Sequence, residues 1–293
     1  MKGIILAGGT GSRVYPSTKT VSKQLLPIYD NPTIYYPLST LIKLGIKDIM
    51  IITNAQAHPH LLQLFNQADK TVDPWINRRP YLGINFIFKV QMYPAGIAEA
   101  LIIAEQWQGD DDVCLILGDN IFTGIQRPYV NSGAGVVSYR VSNPSDYGVI
   151  NVDADGKIIS LQEKPEAPQS NNAVTGIYFY DDTAGKRSRS LSPSARGELE
   201  ITDLNKNYLD SDELQHYSLD SNYAWFDTGN PDEMFAASMY VKSIQDRTNS
   251  MIGCIEGESW KQGNITEEKF KKIVKKMPDC SYKTSVAMSY FFG

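Results

Sequence analysis

The stretch GIILAGGTGSR, residues 3–13, decides how the rest of the chain is interpreted. Its first five residues are apolar without interruption, which is typical of a parallel strand buried on both faces. Gly8, Gly9 and Gly11 follow at once and predict a glycine-rich turn at the carboxyl end of that strand. Ligands of open α/β sheets bind at this end of the strands, so the turn is the first candidate site.

The segments that follow repeat a strand-helix-strand pattern. Apolar residues recur at helical spacing over residues 35–44 and precede a second buried strand, DIMIIT, at residues 48–53. Further strands are predicted at residues 85–90 and 113–117, with a helix over residues 96–107 between them. The fold class predicted is α/β, a Rossmann-like, doubly wound and mainly parallel sheet flanked by helices.

The pattern changes after residue 135. Short alternating strands follow, and Asp155-Gly156 is a hairpin signal between two of them, so a small antiparallel insert is expected. Residues 242–293 are charged and lysine-rich, and ITEEKFKKIVKK has its acidic residues first and its basic residues last, as in a helix. We therefore predict a core over residues 1–241 and a helical C-terminal appendage over residues 242–293.

Composition excludes several classes of protein. With 293 residues, 42% of them hydrophobic, the chain can bury one large core. Its net charge of -5 argues against a nucleic-acid binder. Its three cysteines contain no CxxC pair, which disfavours a disulfide framework and a thiolate zinc site. No run approaches the roughly 20 apolar residues of a membrane span. We expect a soluble, cytoplasmic protein with no nucleic-acid or membrane partner.

Two cations follow the first strand. In LAGGTGSR, residues 6–13, backbone N–H groups could face a phosphate chain and Arg13 could add charge. Glycines here could also make only a tight turn. Val14 stands where a dinucleotide fingerprint needs glycine, which disfavours a nicotinamide-dependent oxidoreductase. Lys23, beside Gln24, could be a snorkelling surface cation, but its proximity to Arg13 favours a phosphate site.

Two aspartates each follow an apolar run. Asp119 ends LILGD and Asp227 follows YAWF. A carboxylate at the end of an apolar strand loses hydration unless a cation compensates it, although a capping role is the simpler alternative. If both converge they could hold Mg²⁺, which takes few protein ligands and completes its shell from phosphate and water. Spacing alone does not decide whether they converge.

Two later segments carry further charges. In QEKP, Glu163 and Lys164 are adjacent, so on a strand they would face opposite sides and could touch different parts of a ligand. Arg196 opens a second segment, RGELEITD. Ordinary solvated charges are the alternative interpretation of Glu163 and Lys164.

With these residues in place, the chain resembles the short-form glucose-1-phosphate thymidylyltransferases over nearly its whole length. The first loop is shared by nucleotidyltransferases for many sugars. The narrower motifs are SKQLLPIYDNPTIYYPLSTL, LGDNIF, YGVI, EKP, AVTGIYFYD, SARGELEITDLN and YAWFDTG. The resemblance implies Mg²⁺-dependent condensation of dTTP with α-D-glucose 1-phosphate, which gives dTDP-glucose and pyrophosphate. A UTP-using or other-hexose enzyme, or a catalytically silent regulatory protein, remains the alternative.

The resemblance also implies roles for individual residues. It divides the core into a nucleotide-binding half, residues 1–120, and a sugar-phosphate-binding half, residues 121–241. The implied nucleotide-binding residues are Gly8, Gly9, Gly11, Gln24, Gln91 and Gly96, and the catalytic cations are Arg13, Lys23 and Lys164. The implied sugar-phosphate-binding residues are Gly148, Glu163, Lys164, Val174 and Arg196, and the metal ligands are Asp119 and Asp227.

The chain departs from the family pattern at a few places. Where the family usually has Pro-Asp-Gly in the base-reading segment, this chain has Ala95 between Pro94 and Gly96. Residues 69–82 look like an insertion, and the stretch after Phe122 looks shortened. Family members commonly form tetramers, so the resemblance implies a homo-oligomer, a tetramer or a dimer.

Overall fold

The computed structural model describes residues 1–65, 82–125 and 132–292. Its strands are β1 Lys2–Ala7, β2 Pro27–Ile28, β3 Asn31–Pro32, β4 Asp48–Thr53, β5 Asn85–Val90, β6 Val113–Leu117, β7 Asn120–Phe122, β8 Ala134–Arg140, β9 Gly148–Val152, β10 Ile158–Glu163, β11 Asn172–Tyr180, β12 Leu214–Ser218 and β13 Trp225–Asp227. Its helices are α1 Tyr35–Lys43, α2 His58–Leu64, α3 Glu99–Gln108, α4 Ala184–Arg189, α5 Ile201–Asp210, α6 Pro231–Thr248, α7 Ile255–Lys261, α8 Glu267–Lys276 and α9 Ser281–Phe291.

The parallel part of the central sheet has the strand order β6-β1-β4-β5. β1 is paired on both sides, so its apolar run is buried as the sequence predicts. The predicted strands at residues 48–53, 85–90 and 113–117 form over those same residues. The predicted helix over residues 96–107 begins only at Glu99, because Gly96 has a φ of 103° that a helix does not accept.

Helices cover both faces of this sheet. Successive side chains of a strand point to opposite faces, so neighbouring residues of β1 enter different cores. Ile5 lies in a cluster with Leu38 and Leu41 of α1. Ile4 lies in a second cluster with Leu101 of α3 and residues of α5. The continuous apolar run of β1 is therefore explained by burial on two sides.

The later strands extend the same sheet. Its path runs β10-β9-β11-β6-β1-β4-β5, with β8 beside β11 and β12 beside β8. The pairs β9–β10, β9–β11, β8–β11 and β6–β11 are antiparallel, and the predicted turn at Gly156 joins β9 to β10. The predicted antiparallel segment is thus an extension of the main sheet, and the fold-class prediction is confirmed.

The C-terminal region is helical, and α8 covers most of ITEEKFKKIVKK. Helix α6 passes through residue 241 without a break and ends at Thr248, and its C-cap residue Asn249 has a φ of 52°. The division into a core over residues 1–241 and an appendage over residues 242–293 stays a prediction. α7 packs against α1 of the core.

Two sequence expectations fall on residues that are not described. The insertion predicted over residues 69–82 lies outside the described residues except for Leu82. The shortened stretch after Phe122 includes residues 126–131, which also lie outside them. Within the described ranges, none of the helices has the length and apolar character needed to cross a bilayer.

Candidate active site

A cavity of about 290 Å³ opens beyond the carboxyl ends of β1, β5 and β6. One wall comes from the parallel half of the sheet and includes Gly8, Gly9 and Gln91. The opposite wall comes from the antiparallel half and includes Gly148, Glu163 and Val174. The sheet therefore brings the two predicted binding halves to the same opening.

The glycine loop forms the floor on the β1 side. A Cβ atom on Gly9 would have no other atom within 4 Å, so its backbone borders open space. Gly11 is not in the cavity wall; its carbonyl accepts a hydrogen bond from Thr18 Oγ1 at 2.7 Å, which closes the turn. Arg13 follows in a short 3-10 turn, exposed and lining the cavity. The loop thus presents backbone and one guanidinium to the same space.

The two aspartates converge. β7 and β13 pair with Asp227 opposite Asn120, and the Thr228 backbone N–H donates to the Asp119 carbonyl at 3.1 Å. Burial and the nearby charge of Asp119 raise the pKa of Asp227 to about 6, while Lys23 and Arg13 oppose that rise. The Asp227 carboxylate therefore lines the cavity, and the Asp119 carboxylate lies near enough for the two negative charges to interact.

Lys23 and Gln24 lie behind the cavity wall. The Lys23 ammonium forms an ion pair with the Asp119 carboxylate, and the lysine side chain is only 7% exposed. Gln24 is buried and its Oε1 accepts a hydrogen bond from Ser22 Oγ at 2.5 Å. Of the predicted site residues, Gly11, Lys23, Gln24 and Asp119 are not in the cavity lining, and they border the residues that are.

Asn120 is a residue that the sequence interpretation missed. It is buried, and its Nδ2 donates to Asp119 Oδ1 at 3.0 Å. Its Oδ1 accepts from Gly176 N at 3.1 Å and from Trp225 Nε1 at 2.6 Å. This network orients the Asp119 carboxylate, and the neighbouring position in LGDN was the only signal for it.

The segment after β5 is tied to the opposite half of the molecule. Leu199 N donates to the Ala95 carbonyl at 2.8 Å, and Ala98 N donates to the Leu199 carbonyl at 3.2 Å. A Cβ on Gly96 would lie 2.3 Å from the Leu199 carbonyl oxygen, so only glycine allows this approach. Sequence reasoning selected Gly96 but missed Leu199, which carries no polar side chain to mark it.

Glu163 and Lys164 both line the cavity, and the expectation that they face opposite sides is wrong. β10 ends at Glu163, and Lys164 has a φ of 42°, so strand alternation stops between them. Glu163 Oε2 accepts from Thr202 Oγ1 at 2.6 Å, and Lys164 N donates to the Tyr147 carbonyl at 3.0 Å. The turn thus presents an acid and a base to one space.

Arg196 lines the cavity but already has acidic partners. Its Nη2 lies 2.9 Å from each Glu200 carboxylate oxygen, 3.6 Å from Glu198 and 3.8 Å from Glu163. The hydrogen bonds to Glu200, followed by the charges of these acids, raise the pKa of Arg196. The side chain is 48% exposed, so a phosphate could reach it only by joining or replacing these contacts.

The carboxylates of Asp119 and Asp227 fit a hard divalent cation. Burial is the main cause of the raised pKa of Asp227 and the charge of Asp119 is the second, and a cation between the two carboxylates would lower that pKa. Among the described residues there is no group of three or more His, Cys, Asp or Glu side chains that could hold a metal alone. Mg²⁺ needs no such group, since one or two carboxylates suffice when substrate phosphates and water supply the remaining oxygens.

The chain matches a family model and curated relatives over most of its length. The model of the nucleotidyl transferase family matches residues 2–244. A glucose-1-phosphate thymidylyltransferase of Neisseria meningitidis is 42% identical over 289 residues, 96% of each chain. The enzyme of that name from Xanthomonas campestris pv. campestris is 45% identical over 279 residues, 93% of this chain and 91% of its own.

Solved structures have the same fold. A Bacillus anthracis chain, assigned the same enzyme name and crystallised with sucrose, superimposes with a TM-score of 0.73 at 40% identity. The match covers 82% of this chain and 94% of that one. A UDP-glucose pyrophosphorylase in complex with UDP-glucose gives a TM-score of 0.70 at 24% identity, over 83% and 98% of the two chains. At 24% identity, the second match is evidence for the fold alone.

Proposed function

The chain belongs to the nucleotidyl transferase family and, within it, to the glucose-1-phosphate thymidylyltransferases, and from this we propose how its cavity performs the reaction. The enzyme condenses dTTP with α-D-glucose 1-phosphate to give dTDP-glucose and pyrophosphate, which supplies dTDP-sugar synthesis. The resemblance stated from the motifs is thereby confirmed.

One observation carries the proposed assignment of residues. Asp227 lines a cavity that the glycine loop borders on one side and Glu163 with Lys164 on the other. Asp119 lies just behind this lining, where its backbone carbonyl accepts a hydrogen bond from Thr228 N. A nucleoside triphosphate on the loop and a sugar phosphate on the far wall would therefore approach each other beside the two carboxylates. This is the arrangement that in-line transfer between two phosphates needs.

The transfer needs no protein nucleophile. An oxygen of the glucose 1-phosphate attacks the α-phosphorus of dTTP, and a new P–O bond forms as the bond to the bridging oxygen of the β-phosphate breaks. Pyrophosphate leaves with the electron pair of that bond. Rate enhancement then depends on positioning and on neutralising negative charge. We assign Arg13 and Lys23 to the departing pyrophosphate and Lys164 to the attacking phosphate.

The remaining roles follow from the two walls. We assign the nucleotide to Gly8, Gly9, Gln91 and Gly96, with Gly11 and Gln24 supporting these residues from behind. We assign the sugar hydroxyls to Glu163 and the sugar phosphate to Lys164 and Arg196, beside Gly148 and Val174. Arg196 would bind the sugar phosphate while its guanidinium also donates a hydrogen bond to Glu200.

We assign Mg²⁺ to the carboxylates of Asp119 and Asp227. When bound, the ion would neutralise phosphate charge during transfer. Asn120 holds the Asp119 carboxylate by a 3.0 Å hydrogen bond, and the Lys23 ammonium balances that carboxylate. These two contacts orient the Asp119 carboxylate.

Three finer statements belong to the proposal. Ala95 leaves the base-reading segment without the usual carboxylate, so UTP is the alternative nucleotide, and another hexose 1-phosphate is the alternative acceptor. A cytoplasmic location and a homo-oligomer, a tetramer or a dimer, remain proposals. A silent regulatory protein is disfavoured because Arg13, Lys23, Asp119, Lys164 and Asp227 are all present.

The deciding experiment measures pyrophosphate release. The full chain is incubated with Mg²⁺, glucose 1-phosphate and, in separate reactions, dTTP, UTP, CTP, ATP or GTP. Release with dTTP above the others is the expected result. Absence of release with every nucleotide would favour a silent binding protein, and a preference for UTP would change the nucleotide assignment.

A further inference from the structure

The side-chain amide of Gln91 is held at one end and open at the other. Its Nε2 donates to Glu99 Oε2 at 2.6 Å and to the Gly96 carbonyl at 3.2 Å. Within the described ranges its Oε1 accepts no hydrogen bond, and this atom would lie 2.8 Å from a Cβ on Gly8. Gln91 is 94% buried and lines the cavity, so an unpartnered acceptor borders the nucleotide side.

Two neighbouring acceptors hold the amide in this orientation. A carboxylate and a backbone carbonyl accept hydrogen bonds and donate none. If the amide of Gln91 turned over, its Oε1 would face both acceptors and both hydrogen bonds would be lost. Glu99 has the greater influence, because an ionised acceptor makes the shorter and stronger bond, 2.6 Å against 3.2 Å.

The fold supplies Glu99 at this point. It is the first residue of α3, where the positive end of the helix dipole favours a carboxylate. The start of α3 is fixed by the hydrogen bond from Ala98 N to the Leu199 carbonyl. The left-handed turn at Gly96 reverses the chain so that Glu99 reaches back to Gln91.

We infer that Glu99 is a positioning residue that keeps the acceptor end of Gln91 toward the base, and so selects imide bases against cytosine. The inference rests on the proposed function. Thymine and uracil carry an N3–H group that donates to such an acceptor. Cytosine has an unprotonated N3, which would face Gln91 Oε1 as a second acceptor. A site that leaves such a group unpaired rejects the wrong base strongly.

The test compares kcat/KM for dTTP and dCTP at saturating glucose 1-phosphate and Mg²⁺. The wild-type chain is expected to prefer dTTP. Glu99→Ala removes the main restraint on the amide and is expected to lower the dTTP-to-dCTP ratio about 10-fold. Glu99→Gln retains an acceptor for Gln91 Nε2 and is expected to keep the ratio within about threefold.

A matched control lies on the same helix. Glu105 is in α3 and bonds Arg189 on the surface, so Glu105→Ala is expected to leave the ratio unchanged. A dTTP analogue methylated at N3 cannot donate to Gln91. The wild-type chain is expected to discriminate against this analogue more than Glu99→Ala does. If Glu99→Ala does not fold, Glu99→Met serves for the same comparison.

Three results would contradict the inference. An equal loss of kcat/KM with dTTP and dCTP in Glu99→Ala would mean that Glu99 only stabilises the start of α3. If the wild-type chain is active with dTTP and equally active with the N3-methyl analogue, then the inferred hydrogen bond from the base N3–H group to Gln91 Oε1 does not form. A wild-type chain that turns over no nucleotide would contradict the proposed function together with this inference.

Discussion

The nucleotide side and the sugar-phosphate side of the cavity are built differently. On the proposed nucleotide side, the lining includes the backbone of Gly8 and Gly9 and a buried amide, Gln91. On the sugar side, the lining includes charged side chains, among them Glu163 and Arg196. The first wall thus includes a buried polar side chain, whereas the second includes ion-paired side chains that solvent can reach.

Lys23 and Arg196 are two of the assigned cations, and they differ in burial. Lys23 is 7% exposed and pairs with Asp119, whereas Arg196 is 48% exposed and is surrounded by three glutamates. Solvent screens an exposed ion pair, so its loss costs little, while loss of a buried partner leaves an uncompensated charge. We therefore expect substitutions on the buried side to have the larger effects.

The largest effect is expected at the point where the two sides meet. Asp119→Asn and Asp227→Asn each remove a carboxylate from the proposed cation site and should lower kcat by about 10³-fold. The measurement is pyrophosphate release over a range of Mg²⁺ concentrations. EDTA should abolish wild-type turnover, and added Mg²⁺ should restore it.

Asp279→Asn is the control for this change, because Asp279 is 98% exposed and pairs only with Lys283 among the described residues. Thermal unfolding should show that the two active-site variants keep their fold. Full activity of both in buffer depleted of divalent ions would contradict the two-aspartate assignment.

The paired cations test the comparison directly. Lys23→Met removes a buried charge beside Asp119 and should lower kcat about 100-fold. Arg196→Met removes an exposed charge and should lower kcat/KM for glucose 1-phosphate only about 10-fold. Initial rates with each substrate varied in turn would measure both. If Arg196→Met lowered activity more than Lys23→Met, the expectation that the buried cation contributes more would be wrong.

A smaller effect is expected at the contact that joins the two halves. Gly96→Ala forces a non-glycine residue to a φ of 103° and brings its Cβ within 2.3 Å of the Leu199 carbonyl oxygen. We expect a loss of about 1–3 kcal/mol in the free energy of unfolding from this strain, together with a raised KM for dTTP. Urea unfolding would measure the loss of stability, and steady-state kinetics would measure KM for dTTP.

Gly156→Ala is the control for Gly96→Ala, because it introduces backbone strain without a steric clash between the new Cβ and a neighbouring atom. Gly156 has a φ of 83° in the β9–β10 turn, and a Cβ there would meet no atom within 4 Å. Its cost should be limited to strain, about 1 kcal/mol, and its KM for dTTP should match the wild type. Equal kinetic effects of the two alanines would argue against a specific role for the Gly96–Leu199 contact.

The smallest effect is expected on the sugar wall. Thr202→Val deletes the 2.6 Å hydrogen bond that orients Glu163 but leaves the carboxylate in place. Loss of one such bond should raise KM for glucose 1-phosphate about three- to tenfold, with little change in KM for dTTP. Thr202→Ser retains the hydroxyl and should restore the value. If Thr202→Val changed KM for dTTP and left KM for glucose 1-phosphate unchanged, Thr202 would have no role in sugar binding.

Residues whose position follows from local pattern were predicted well. The strands β1, β4, β5 and β6 were predicted because a continuous apolar run between turn signals has few alternatives. The helix over residues 96–107 was placed three residues early, because the left-handed conformation of Gly96 depends on its contact with Leu199. The relation of Glu163 to Lys164 was wrong for a similar reason, since a φ of 42° at a lysine leaves no pattern in the sequence.

By itself, the sequence determined the sheet, the glycine turn and the kinds of charge available, because periodicity and turn chemistry act over short distances along the chain. The tertiary structure decided which charges meet. It joined Lys23 to Asp119, set Asp119 beside Asp227, surrounded Arg196 with glutamates and turned Gln91 toward the cavity through Glu99. Hydrogen bonds and ion pairs act across space between residues distant in sequence, and no local pattern records them.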